Sequence, residues 1–323
     1  MTNAARPLNL VFCGTPQFAV PAFEALVAAG HQIALAVSQP DRPVGRDRKI
    51  VPTPVKQAAL AAGLAVTQPE KIRNNAEFRA RLEAIAPDAI VVVAYGRIIP
   101  PWMLSLPRLG CINLHASLLP KYRGAAPIQW AIAMGDAFTG NTTMLLEEGL
   151  DTGPILLRRT HEIGPEQTAA DLFPVLASAG APLVVETLAG LADGSIQPQP
   201  QNHEGATYAP LLNREDGRMD FVARSATELF NRWRGFQPRP GAFTTLHGKK
   251  LIVHHVAIVH ESFAQQLGVA AAGAVRIENH RLFAGCAGDT WLELLEVQLE
   301  GKKRLDAAEF LRGNPLAADA RLG

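Results

Sequence analysis

From residue 8 onward, short apolar runs alternate with segments whose apolar residues recur at helical spacing. Leu8 to Phe12 is followed by a segment that sets Val20, Phe23 and Leu26 on one helical face, and then by Ile33 to Val37. This alternation marks βαβ units and a parallel sheet. A second helix is bounded by Thr53 as N-cap, Pro54 at the first helical position and Gly63 just past the end. Ala89 to Ala94 is continuously apolar and rich in β-branched residues, the pattern of a strand buried on both faces. A short strand through Cys111 to His115, a helix near Ile128 to Met134 stopped by Gly135, and a strand near Thr142 to Leu146 come next. A helix from about Ala169 to Leu191 closes the series. Pro174 inside it removes one helical hydrogen bond, at a cost of roughly 3 kcal/mol, so a kink or a late start is expected there.

Residues 193–210 hold three prolines, two glycines and almost no large apolar side chain, which predicts an extended linker. After it, Ser225 and Glu228 form a capping box that leads a helix carrying Leu229, Phe230 and Trp233. Short β-rich runs follow at Leu251 to Val259, Val275, Arg281 to Ala284 and Trp291 to Leu299, punctuated by glycines. Closely spaced strands in so short a stretch suggest a small barrel. The expected architecture is therefore α/β: a doubly wound, Rossmann-like domain over residues 1–192, a linker over 193–210, and a small β-barrel domain over 211–323.

Composition narrows the class of protein. No run approaches the roughly 18 uninterrupted apolar residues of a membrane span, and the first residues lead almost directly into a strand, so a cytoplasmic location is expected. Cys13, Cys111 and Cys286 offer neither a CxxC pair nor a Cys/His cluster at metal-ligand spacing, and they read as reduced core residues. The net charge of +1 means that any polyanion site must arise from local clustering.

Four segments could carry chemistry. The loop Cys13-Gly14-Thr15-Pro16-Gln17 lacks the G-x-G-x-x-G of a dinucleotide site, and Gly14 serves either a tight turn or an anion at the following helix. In Asn113 to Pro120, strand alternation puts Asn113 and His115 on one face near the end of the strand. Either residue alone would be read as structural; the matched pair before a Pro-terminated loop points to function. The loop Glu147 to Pro154 presents Asp151 between glycines, an ordinary turn by itself but a means of orienting an imidazole when it lies beside one. Finally, Gln39 to Pro54 sets Arg42, Arg46, Arg48 and Lys49 against Asp41 and Asp47 in a proline-stiffened protrusion suited to phosphates.

Taken together, these residues resemble the formyltetrahydrofolate-dependent formyltransferase family over nearly the whole chain, and within it the branch that acts on charged tRNA. The stretch Asn113 to Gln129 resembles the family signature, Gly149-Leu150-Asp151-Thr152-Gly153 the loop that completes the site, and Val92 to Gly96 the folate-pocket strand and turn. Gln39 to Pro43 with its basic continuation resembles the loop used at the tRNA acceptor stem, and Glu300 to Arg304 with Phe310 to Gly313 extends the similarity to the C-terminus.

The resemblance implies an enzyme with a Rossmann-like catalytic domain and an OB-like barrel. It would transfer the formyl group of 10-formyltetrahydrofolate to the free amine of methionyl initiator tRNA. Asn113, His115 and Asp151 would be catalytic. Ala94, Tyr95, Gly96, Ser117, Leu118, Leu119, Pro120, Gly149 and Leu150 would form the folate site. Arg42, Arg46, Arg48, Lys49, Arg232, Arg234, Lys249 and Lys250, with Arg239 beside them, would meet tRNA. Fifteen Lys and Arg against thirteen Asp and Glu from residue 210 onward mean that a basic face there must be built by placement. No metal and no membrane are expected, and the chain is expected to act as a monomer. The rival acceptors are an amino sugar nucleotide or, for a non-catalytic relative, RNA that is merely bound.

Overall fold

A computed structural model of the chain describes residues 6–44, 49–317 and 319–323. They pack as two units. The first takes residues up to Pro127, Phe138–Glu162 and Leu172–Pro210; the second takes Ile128–Ala137, Ile163–Asp171 and Leu211–Gly323.

The first unit is built on a seven-stranded sheet in the order Val66–Thr67, Gln32–Val37, Asn9–Gly14, Ala89–Val93, Cys111–His115, Phe138–Leu145, Ile155–Glu162. The first five strands run parallel, and the last two are antiparallel to their neighbours. Successive residues face opposite sides of a strand, and here both sides are core. Ala89, Val91 and Val93 join one cluster with Leu10, Phe12, Phe23, Leu26, Leu183 and Leu188. Ile90 and Val92 join the other with Val11, Cys13, Phe78, Leu82 and Met103. Helices Val20–Ala28 and Ala169–Asp193 thus cover one face, and Ala76–Ile85 with Pro101–Leu104 cover the other. That is the doubly wound α/β arrangement expected from the alternation of apolar runs.

Local signals in the sequence translate into the observed ends. Thr53 Oγ1 accepts from the Lys56 amide ahead of helix Pro54–Ala61, and Gly63 follows at φ +69°. The helix Ala76–Ile85, capped by Asn75, went unforeseen because only Phe78 and Leu82 on it are buried. The late start expected at Pro174 does not occur. The helix starts at Ala169, with Thr168 Oγ1 accepting from the Asp171 amide, and continues for 25 residues through both Pro174 and Pro182. Burial of Leu172, Leu176, Leu183, Val184 and Leu188 along its length outweighs the lost hydrogen bonds. By length and composition this helix could cross a membrane, but half of that stretch is buried inside the protein.

Beyond the helix end at Asp193, residues 194–210 run mostly extended within the first unit, apart from a short 3-10 turn at His203–Gly205. Gln199 and Ile155 exchange backbone hydrogen bonds at 2.8 Å, and Arg123 pairs with Thr207 and Ala209 at 2.8 and 2.7 Å.

In the second unit an antiparallel sheet runs Ala242–Leu246, Lys249–Ile258, Thr290–Leu299, Arg281–Cys286, Val275–Glu278, with Leu305–Asp306 pairing on Thr290–Leu299. The Ser225–Glu228 capping box is formed, and helix Ala226–Gly235 buries Leu229, Phe230 and Trp233 against Leu251, Val253, Leu292 and Leu294. Unpaired outer strands would expose backbone donors and acceptors. The C-terminal tail covers both of them. Leu322 bridges to Leu246 and Arg321 to Ala274, with the Leu322 amide on the Gly273 carbonyl at 2.8 Å and the Gly323 amide on that of Thr245 at 3.2 Å. The tail thereby closes the sheet into a barrel. Leu322→Ala, at a position 6% exposed, is expected to destabilise this unit by about 2 kcal/mol, read as a lower midpoint of its urea transition.

Candidate functional site

The strand Cys111–His115 lies where the sheet changes from parallel to antiparallel pairing, with Ala89–Val93 on one side and Phe138–Leu145 on the other. Asn113 is half-buried on it, and its carboxamide has no hydrogen-bond partner among the described residues. His115 is 6% exposed. Its Nε2 lies 2.9 Å from the Tyr122 carbonyl, which can only accept, so Nε2 carries the hydrogen. Nδ1 then faces Asp151 Oδ2 at 3.7 Å, within ion-pair range but beyond a hydrogen bond.

Asp151 sits at φ +51°, a conformation that L residues rarely adopt, and Oδ2 accepts from the Gly124 amide at 2.7 Å. A Cβ on Gly153 would stand 1.8 Å from the Leu145 carbonyl, so the turn returns to the sheet only with glycine there. The structure therefore brings His115 and Asp151 together and leaves an uncommitted amide, that of Asn113, on the same strand face as His115. Acid/base chemistry is open to the pair, and donation to a developing negative charge is open to the amide.

The segments expected to hold folate divide into buried supports and open positions. Ser117 Oγ donates to the Lys121 carbonyl at 2.7 Å, and the Leu119 side chain packs against Met144 and Ile155. Thr142, which the sequence did not single out, holds this loop: its hydroxyl donates to the Ser117 carbonyl at 2.6 Å and accepts from the Leu119 amide at 3.1 Å. Leu118 and Pro120 are half-buried, and Gly149 and Leu150 are exposed. Ala94 at φ +46° and Gly96 at φ +76° are exposed around a buried Tyr95. The Tyr95 carbonyl accepts from Thr15 and Gln39, burial pushes its phenol above the ordinary value, and its hydroxyl has no hydrogen-bond partner among the described residues. Two polar groups near these segments are thus left unsatisfied among the described residues, the buried Tyr95 hydroxyl and the half-buried Asn113 amide.

The expected tRNA contacts are not equivalent. Arg42 and Lys49 are exposed on a two-stranded hairpin, Arg42–Val44 with Lys49–Val51, and Arg42 Nη2 meets Glu70 at 3.0 Å. Arg46 and Arg48 lie outside the described residues. Arg239 and Lys249 are exposed, and Lys250 Nζ lies 3.9 Å over the Phe243 ring. Arg232 is half-buried, stacked over Phe236 and Trp130 and bonded to the Asp216 carbonyl at 3.0 Å. Arg234 needs correction as a phosphate contact: it is 5% exposed, and its guanidinium is committed to the carbonyls of Gly164 and Gln167. Basic residues in the last turn of a helix read alike in sequence; the facing of the helix separates them.

Among the described residues no three His, Cys, Asp or Glu side chains gather as a metal site. All three cysteines are free and buried, and burial pushes the Cys111 and Cys286 thiols up to about 12.

Residues 8–188 match the formyl transferase family model, and residues 211–315 match that of the formyl transferase C-terminal domain. The chain belongs to the formyl transferase family. Family members carrying both regions include the methionyl-tRNA formyltransferase of Acidobacterium capsulatum, 63% identical over 98% of this chain and 100% of the relative. That of Koribacter versatilis is 58% identical over 96% and 97%. The fold extends to an N-formyltransferase from Helicobacter canadensis solved with folinic acid and dTDP-3-aminofucose, at TM-score 0.63 and 16% identity over 89% of this chain and 98% of that one. It extends likewise to HypX from Aquifex aeolicus in complex with tetrahydrofolic acid, at TM-score 0.58 and 16% identity over 94% and 46%.

The basic hairpin of this formyl transferase is anchored by an acid. Asp41 takes the Lys56 ammonium at 2.5 Å on one oxygen and the Gln68 amide at 2.6 Å on the other. The hydrogen bond from Lys56, helped by those from Gln68 and the Thr53 amide, holds the Asp41 carboxyl below its ordinary value against the opposing effect of burial. A depressed folded value means that the stabilisation is complete above the unfolded pKa of about 3.9 and is lost as pH falls through the folded value. The stability difference between wild type and Asp41→Asn, from urea midpoints, is expected to shrink as pH is lowered from about 5 to about 3.

Proposed function

We propose that this chain transfers the formyl group of 10-formyltetrahydrofolate to the free amino group of methionyl initiator tRNA, giving formylmethionyl-tRNA for translation initiation. The observation that carries the reading is full-length similarity, through both units, to relatives named methionyl-tRNA formyltransferase, together with the convergence of His115 and Asp151 beside the free amide of Asn113. The exposed cations of the hairpin add a surface that an amino sugar nucleotide would not need.

The neutral amine of the methionyl group attacks the formyl carbon. A C–N bond forms, and negative charge develops on the formyl oxygen. Asn113, whose N–H groups are uncommitted, donates to that oxygen. His115 spends its Nε2 hydrogen on Tyr122, so Nδ1 is the ring nitrogen left for the reacting centre, and Asp151 beside it takes part in moving the proton. The bond to the folate nitrogen then breaks as that nitrogen gains the proton that the amine loses, which returns the enzyme to its starting state. The turn at Ala94 to Gly96 and the loop Ser117 to Pro120 position the folate by backbone contacts and apolar packing. Arg42, Lys49 and Lys249 meet phosphates, and the enzyme works as a cytoplasmic monomer.

Transfer of labelled formyl from 10-formyltetrahydrofolate to methionyl initiator tRNA tests the reading, with an amino sugar nucleotide alongside. Label on the tRNA supports it; label on the sugar alone, or none, overturns it. His115→Ala, Asn113→Ala and Asp151→Asn are each expected to lower kcat by on the order of 100-fold, with the folate KM within about three-fold. Unchanged kcat would remove that residue from the mechanism. In a second measurement, tRNA affinity is expected to fall steeply from about 50 to 200 mM salt, with a shallower slope in an Arg42→Ala/Lys49→Ala variant.

A further inference from the structure

Gln201 lies in the stretch whose composition reads as a linker, yet its side chain is buried. Its carboxamide makes four short contacts. Nε2 donates to the carbonyls of Asp151 at 2.8 Å and Gly153 at 2.7 Å. Oε1 accepts from Arg123 Nε at 3.1 Å and Nη2 at 2.6 Å. The amide can sit only this way round. Turned over, it would set its oxygen against two carbonyls and its NH2 against a guanidinium that has donors alone.

These contacts close a circuit around the proton-handling pair. Arg123 is buried between Tyr122, whose carbonyl takes the His115 Nε2 hydrogen, and Gly124, whose amide holds Asp151 Oδ2. Gln201 ties the side chain of Arg123 to the backbone of the Asp151 turn, which is held in a left-handed conformation. Segment 207–209 is stitched to Arg123 from the same stretch. The two loops that carry the groups facing His115 are thus held in register by one carboxamide.

We propose that Gln201 is a positioning residue of the transfer reaction: its carboxamide clasps the Asp151 turn to the Tyr122–Gly124 loop and so sets the carboxylate against His115. The proposal rests on the reading of Asp151 as a catalytic carboxylate. Gln201 touches neither the reacting atoms nor the folate turn; it acts through the placement of Asp151.

Two variants separate this role from simple stability. Gln201→Glu keeps the size and the pairing with Arg123 but turns the two donated hydrogen bonds into oxygen facing carbonyl. Gln201→Met keeps the size and loses both sets. Both are expected to lower kcat at least about ten-fold, while the folate KM stays within about two-fold, since displacement of a reacting group acts on the chemical step. In an Asp151→Asn background the same substitutions are expected to lower kcat by less than about two-fold, because the clasp then has no carboxylate to place. A folded Gln201→Glu or Gln201→Met with wild-type kcat would overturn the proposal, and so would an equal further loss in the Asp151→Asn background. Wild-type transfer to tRNA, run in parallel, reports on the function itself. Were the wild type to formylate only an amino sugar, the acceptor would be revised and the same ratios on that acceptor would still decide the role of Gln201.

Discussion

The Asp151 carboxylate takes the Gly124 amide at 2.7 Å and faces His115 Nδ1 at 3.7 Å, while the His115 Nε2 hydrogen is held by the Tyr122 carbonyl. Two loops that are far apart in sequence are thereby joined across one imidazole. Much of the first unit serves that junction. The buried strand Cys111–His115 fixes where the ring starts, and antiparallel pairing of His115 with Thr142 and of Met144 with Ile155 brings the second loop alongside. Gly153 lets the turn pass within contact of the Leu145 carbonyl. A buried ring whose Nε2 is held by the Tyr122 carbonyl, with Nδ1 left facing Asp151, has little freedom to wander, which suits the proton transfer proposed for it.

The scaffold under the junction owes its rigidity to a sheet that is core on both faces. Alternate residues of Asn9–Gly14 and Ala89–Val93 enter two different apolar clusters, so a register slip in either strand would exchange whole sets of side chains. The long helix Ala169–Asp193 tolerates two prolines for the same reason: its buried leucines anchor it where its own hydrogen bonds are missing. The second unit solves a different problem. Its sheet would present two raw edges, and the tail from Ala320 to Gly323 pairs with both.

The charged residues show how placement rather than identity assigns roles. Arg232 and Arg234 stand two apart on one helix, yet one stacks on aromatic rings and the other is buried on carbonyls. Asp41, counted in the sequence as diluting a basic loop, is the group that ties the base of that loop to Lys56 and Gln68. A run of charges gives the net field of a segment; it does not say which of its members reach solvent.

The sequence by itself determined most of the sheet and helix pattern and the candidates for the proposed site, though not the helix Ala76–Ile85. Period-two and period-3.6 patterns identify the parallel strands and their helices because burial imposes those periods, and the caps at Thr53 and Ser225 are local hydrogen bonds between near neighbours. Asn113, His115 and Asp151, the residues of the proposed site, are conspicuous in the sequence because polar side chains at the end of an apolar strand and in a Gly-flanked turn stand out from their surroundings. Tertiary structure alone decided what holds them. The groups that fix His115 and Asp151 are the backbone of Tyr122 and Gly124, which carry no side-chain signature, and Gln201 contributes from a stretch whose composition resembles solvent-exposed linker. Hydrogen bonds between residues 27 to 78 positions apart depend on where the chain returns in space, and no local pattern encodes that return.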